Sequence, residues 1–128
     1  MAIKYNLIQK SQPGVSGGGK KKWYASIATD GEFTIDDLVK QIEKFSALSE
    51  PDIRGVVIAV ENVIQDQITN GKIVRMDKLG SFYPSISSEG VDKEEEFTSA
   101  HIRGAKINYR AGKRIVNALS TAIFKRKN

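Results

Sequence analysis

The chain of 128 residues has no cysteine, one histidine (His101), one tryptophan and three prolines. Without cysteine there is no disulfide framework, no thiol nucleophile and no cysteine-based zinc site, which fits a reducing compartment. A single histidine makes neither a metal site nor a Ser-His-Asp set, so His101 reads as a surface or ribbon residue. The carboxylates Asp92 and Glu94 to Glu96 lack calcium-loop spacing. No apolar run approaches the length that spans a bilayer. Lys4, Asn6 and Gln9 interrupt the N-terminus, so it lacks the apolar stretch of a signal peptide. These absences predict one soluble cytoplasmic domain, not an enzyme, with no cofactor, metal, small-molecule substrate or membrane partner.

Acid is also missing, and only from the two ends. Residues 1–25 carry five lysines and no Asp or Glu, and residues 99–128 carry eight basic residues and no acid. The middle is the reverse, with three basic and nine acidic residues between 26 and 70. The net charge of +5 is therefore unevenly placed. A basic segment without compensating acid is an electrostatic footprint for a polyanion.

Periodicity supplies the elements. Ile3, Tyr5 and Leu7 alternate with polar residues as in a strand, and Trp23 to Ala28 reads as a second, giving a hairpin. Its connection, Ser11 to Lys22, is a flexible Pro/Gly/Ser loop ending in Lys20, Lys21 and Lys22. Gly14, Gly19 and Lys20 approach a phosphate-cradling loop. Lys21 stands where Ser or Thr is needed, and a strand follows instead of a helix, so nucleotide binding is not expected. Thr34 is an N-cap with Asp36 and Asp37 in the first turn of a helix over 35–45. Ser49 caps a second helix over 51–69, with Pro51 in its first turn. Ile53, Val56, Val57, Val60, Val63, Ile64 and Ile68 give that helix a wide apolar face, and Asn70-Gly71 ends it. So apolar a helix in so small a body predicts a homodimer that buries it. Strands follow at 72–76 and 79–83, the chain running on to Ser87. An acidic tip covers 88–96, and residues 97–100 read as a helical turn. The last strand is expected over 101–110, and a closing amphipathic helix over 111–125, with Ile115, Leu119 and Ile123 on its apolar face.

Helix-turn-helix, then Asn70-Gly71-Lys72-Ile73-Val74, then Leu79-Gly80-Ser81-Phe82, a ribbon, and Ile107-Asn108-Tyr109-Arg110-Ala111-Gly112-Lys113 stand in an order that resembles the bacterial histone-like HU and integration host factor family. The resemblance covers residues 34–128. Residues 1–33, the N-terminal β-hairpin extension, resemble that of HU-related proteins in Bacteroidetes-type bacteria. It implies an α+β fold: an intertwined dimer with a helical base, a saddle-shaped β-sheet and β-ribbon arms on DNA.

Carried over residue by residue, Gly80 and Ser81 match the family's phosphate-touching G-S-F segment. Arg110 and Lys113 match its basic strand-helix joint, and Gly112 would let the backbone approach a phosphate. Lys72, Arg75, Arg103, Lys106 and Arg114 are electrostatic candidates. Tyr109 and Phe82 are expected in the core, not stacked on bases. The arm departs from the family pattern: residues 83–100 hold one basic residue, Lys93, inside an acidic run, and Pro84 lies near the ribbon base instead of its tip. Intercalation and sharp kinking are therefore not expected. The resemblance implies sequence-tolerant, phosphate-driven binding of double-stranded DNA by a nucleoid-associated homodimer. The other reading is a structural or protein-interaction module that kept the fold and lost DNA.

Overall fold

The computed structural model describes residues 2–127. Strand β1 (Ile3–Lys10) and β2 (Lys22–Ile27) form the expected antiparallel hairpin, with Lys10 opposite Lys22 and Tyr5 opposite Ile27. The connecting loop is tied by its own backbone: the Gln12 N–H donates to the Gly18 carbonyl at 2.8 Å, around a tight turn at Ser16–Gly18.

Two helices follow. In α1 (Ile35–Lys44), the Thr34 hydroxyl accepts from the Asp37 N–H at 3.3 Å, and the Asp37 carboxylate accepts from the Thr34 N–H at 3.0 Å. This reciprocal cap satisfies two otherwise orphaned donors. The Thr34 backbone N–H, then its hydroxyl, hold the Asp37 carboxyl below its ordinary value of 3.8. A lowered folded-state pKa contributes stability that is present above the ordinary carboxylate range and is lost as pH falls through it. Thermal unfolding followed below pH 4 is therefore expected to show a shallower loss of stability in Asp37→Asn than in the parent chain.

Ser49 caps α2 (Glu50–Thr69), accepting from the Asp52 N–H at 3.3 Å, and Gly71 (φ 82°) takes the left-handed position after it. Arg54 of α2 bonds Asp36 of α1, the one salt bridge among the described residues.

The second sheet is β3 (Val74–Met76), β4 (Gly80–Ser88) and β5 (Ile102–Ala111), antiparallel in the order β3-β4-β5. The ribbon β4–β5 pairs from Gly80–Ala111 out to Ser88–Ile102. Pro84 is tolerated within β4 because β3 ends opposite Phe82, leaving that stretch of β4 an open edge. The ribbon is closed by residues 89–101, which hold two single 3-10 turns, Glu94–Glu96 and Ser99–His101, where one turn over 97–100 was expected. The imidazole Nδ1 of His101 accepts from the Thr98 N–H at 3.1 Å, so this histidine belongs to the turn.

The last helix is shorter than its periodicity suggests. α3 spans Lys113–Ser120, and residues Phe124–Arg126 form a strand, β6, instead of the helix's final turn. β6 pairs in parallel with β1, Ile3 opposite Phe124 and Tyr5 opposite Arg126, giving a three-stranded sheet in the order β2-β1-β6. The Ile3 N–H donates to the Ile123 carbonyl at 2.8 Å and the Lys127 N–H to the Tyr5 carbonyl at 3.0 Å. Ile123 thus leaves the helix face expected of it, because backbone pairing with β1 outweighs local helical period.

Packing within one chain is thin. Among the described residues only Val39 and Ile53 are buried hydrophobics. On α2, Val56 is 58% exposed and Val63 57%.

Candidate nucleic-acid interface

Alternation divides β3-β4-β5 into two chemically distinct faces, because directly opposed residues share a side. One face is apolar: Val74, Phe82 and Tyr109 form a row, followed by Pro84 opposite Ile107 and Ile86 opposite Ala105. The rings of Phe82 and Tyr109 meet at 5.2 Å between centroids, and the Tyr109 hydroxyl donates to the Leu79 carbonyl at 2.5 Å. The two rings pack on each other, but Tyr109 is 47% exposed and Phe82 half-buried, so the core place expected of them is not reached within one chain.

The other face is polar and basic. Ser81 of β4 stands between Arg75 of β3 and Arg110 of β5, and the three line one shallow hollow with Ile73 and Tyr83. Farther out, Lys106 is opposite Ser85. Between them the Asn108 amide donates to the Ser85 hydroxyl at 2.8 Å, tying β4 to β5. Arg75, Lys106 and Arg110 are exposed, and none takes part in an ion pair among the described residues. Three cations on one face, with no carboxylate among them, leave their charge to be met from outside the chain.

Arg103 reaches this region by a route that sequence does not reveal. The register passes from Ser87–Gly104 to Ser88–Ile102, making Arg103 the extra residue of a β-bulge. A regular strand would turn it away from Lys106, but a bulge re-aims a side chain. Arg103 and Lys106 line a common hollow with Ser85 and Ser87.

The joint after β5 is built on two glycines. Gly80 has φ 129°, and a Cβ there would collide with the Arg110 carbonyl oxygen. A Cβ on Gly112 would lie 2.6 Å from the Lys78 carbonyl oxygen. The Gly112 N–H donates to the Leu79 carbonyl at 3.2 Å. The close approach that Gly112 permits in this structure is thus between two segments of the chain, the β3–β4 turn and the start of α3. That contact sets Lys113 and Arg114, both exposed, in the first turn of α3, which has no acidic residue. Cations there oppose the helix dipole, an arrangement that an external anion would relieve. Lys72 lies apart, in the turn between α2 and β3, its N–H bonded to the Gln67 carbonyl at 3.1 Å.

Of the ten candidates, the sheet therefore groups Arg75, Ser81, Lys106 and Arg110 on one face. The bulge adds Arg103, and the glycine joint places Lys113 and Arg114 at the end of the same strand. Tyr83, Ser85 and Asn108 belong to the face and were not singled out from sequence. Their every-second spacing opposite Ser81 and Arg110 was the available signal. No group of three or more His, Cys, Asp or Glu side chains that could hold a metal occurs among the described residues. Among the described residues no helix is long and apolar enough to cross a membrane.

A family model described as HU-HIG, an HU domain fused to wHTH, Ig, or Glycine-rich motif, matches residues 1–126. The chain belongs to the HU-HIG family. Its fold is shared with a crystal structure from Bacteroides vulgatus ATCC 8482 described as a "Putative bacterial DNA binding protein", with a TM-score of 0.68 at 13% identity. That match covers 98% of this chain and 48% of the Bacteroides chain, so this HU-HIG chain spans about half the length of that neighbour. No curated protein matches it.

Proposed function

We propose that this chain is a nucleoid-associated protein that binds double-stranded DNA as a homodimer, without sequence preference and with little bending. The observation that carries this reading is the acid-free face of β3-β4-β5, where Arg75, Ser81, Arg110 and Lys106 stand in register and none of the three cations takes part in an ion pair among the described residues. Membership of the HU-HIG family and the description of the Bacteroides neighbour as a DNA-binding protein support DNA as the polyanion. Binding follows from charge: each phosphate neutralised by a lysine or arginine releases condensed counterions, which needs no base contact. The chemistry is that of a binding protein and not of an enzyme.

The thin core supports the dimer. Val56, Val60 and Val63 of α2, and Leu119 of α3, are more than two-fifths exposed in one chain, and a second copy that covers them supplies the missing burial. The small bend rests on the ribbon end: Glu89, Asp92 and Glu94 to Glu96 would be repelled from the minor groove, and no proline stands there to wedge between base pairs. The same acidic end favours the second reading, a protein-interaction module that has lost DNA.

Sedimentation of the free protein is expected to give a dimer. Unlabelled duplexes of unrelated sequence are expected to displace a labelled duplex of about 30 bp with equal potency, and dyes at its two ends are expected to move little on binding. A protein that ignores the duplex but captures a basic protein partner would establish the second reading.

A further inference from the structure

The sheet β2-β1-β6 carries a second basic face. Lys4 of β1 is directly opposite Lys125 of β6, and Lys10 of β1 is directly opposite Lys22 of β2. The side-chain period of two puts all four on one side of the sheet. Between these pairs lie Asn6 opposite Ser26 and Ile8 opposite Tyr24, so no carboxylate interrupts the face. The first acidic residue in the chain is Asp30, and none follows Glu96. Like charges directly opposite one another destabilise a strand pair, and this sheet contains two such pairs. Neither is relieved by an ion pair among the described residues. Lys10 stands over the Tyr24 ring at 5.0 Å, which holds its ammonium group on this face.

We infer that this face is a second contact surface for the phosphate backbone of duplex DNA, separate from the face of β3-β4-β5. The inference rests on the DNA reading above and extends it to the hairpin. Assembly of the surface requires both ends of the chain. Lys125 joins Lys4 only because β6 pairs in parallel with β1, so the two acid-free segments of the sequence meet in one sheet. Exposed β-sheet lysines, spaced along the strand by Asn6, Ser26, Ile8 and Tyr24, suit an extended array of phosphates. The neighbouring loop adds Lys20 and Lys21, both exposed.

The test compares the full chain with three variants on a labelled duplex of about 30 bp over a salt series. The variants are Lys4→Gln/Lys125→Gln, Lys10→Gln/Lys22→Gln, and the four substitutions together. Lys40→Gln/Lys44→Gln on α1 removes the same charge as either double variant and serves as control. The salt slope is expected to flatten by about 0.9 for each lysine that meets a phosphate, additively in the quadruple variant, with the α1 control unchanged. Removing like-charge pairs is also expected to leave the melting temperature equal or higher, so weaker binding cannot be ascribed to unfolding.

A quadruple variant with the parent slope within about half a unit overturns the second surface while leaving the first intact. Equal flattening in the α1 control overturns it too, as an effect of net charge. Failure of the parent chain to bind any duplex removes both readings. Binding of vesicles with anionic headgroups that depends on the four lysines, without a matching effect on duplex, would assign the face to membranes and overturn the inference.

Discussion

Replacing Gly80 with alanine is expected to destabilise the fold by about 3 kcal/mol or more, measured by denaturant unfolding. Two costs add. The residue has φ 129°, which side chains rarely adopt, and its new methyl group would meet the Arg110 carbonyl oxygen, with the Gly112 nitrogen only 2.9 Å away. These are backbone atoms at the junction of β4, β5 and α3, so they cannot swing aside as a flexible side chain would. Gly104, on the same ribbon, provides the comparison: nothing lies within 4 Å of a Cβ there. Gly104→Ala is expected to change stability by less than about 1 kcal/mol, because it loses no contact and narrows the unfolded ensemble. Similar costs at both positions would mean that the joint does not hold the geometry described.

The second large effect is on binding. Arg75→Ala/Arg110→Ala is expected to weaken duplex affinity at least about tenfold at low salt, with each arginine removing one phosphate contact per chain and the proposed dimer doubling the loss. Both side chains are exposed and flank Ser81 on the face away from the Phe82–Tyr109 pair, so the variant is expected to fold normally. Lys72→Ala, which removes a cation from the turn outside this face, is expected to have a much smaller effect. Reversal of this order would move the contact surface from the sheet to the α2–β3 turn.

Local chemistry made much of this legible in sequence. Thr34 with Asp37, and Ser49 with Asp52, announce their helices because a cap is a contact within a single turn. The alternation of Ala105, Ile107 and Tyr109 with Lys106, Asn108 and Arg110 likewise separates an apolar from a basic face before any register is known. The misses share one cause, dependence on distant partners. Nothing between Ala122 and Lys127 distinguishes a fourth helical turn from a strand; the hydrogen bonds from Ile3 and to Tyr5 decide it. The pairing of Lys4 with Lys125 is hidden for the same reason. Arg103 illustrates a subtler case, since its place beside Lys106 depends on one extra residue in a ribbon register. Gly112 reads in sequence as a place where backbone approaches a phosphate; in the structure the Lys78 carbonyl oxygen lies where its Cβ would be, and sequence offers no sign of that.

The most direct measurement is the affinity of the parent protein for a duplex of about 30 bp between 50 and 300 mM salt, beside that of Arg75→Ala/Arg110→Ala. A steep linear fall of log K with log salt is expected, reporting several released counterions, with a slope shallower by about two or more in the variant. A slope near zero, or an equally steep slope in the variant, would contradict the claim that this face meets the phosphate backbone.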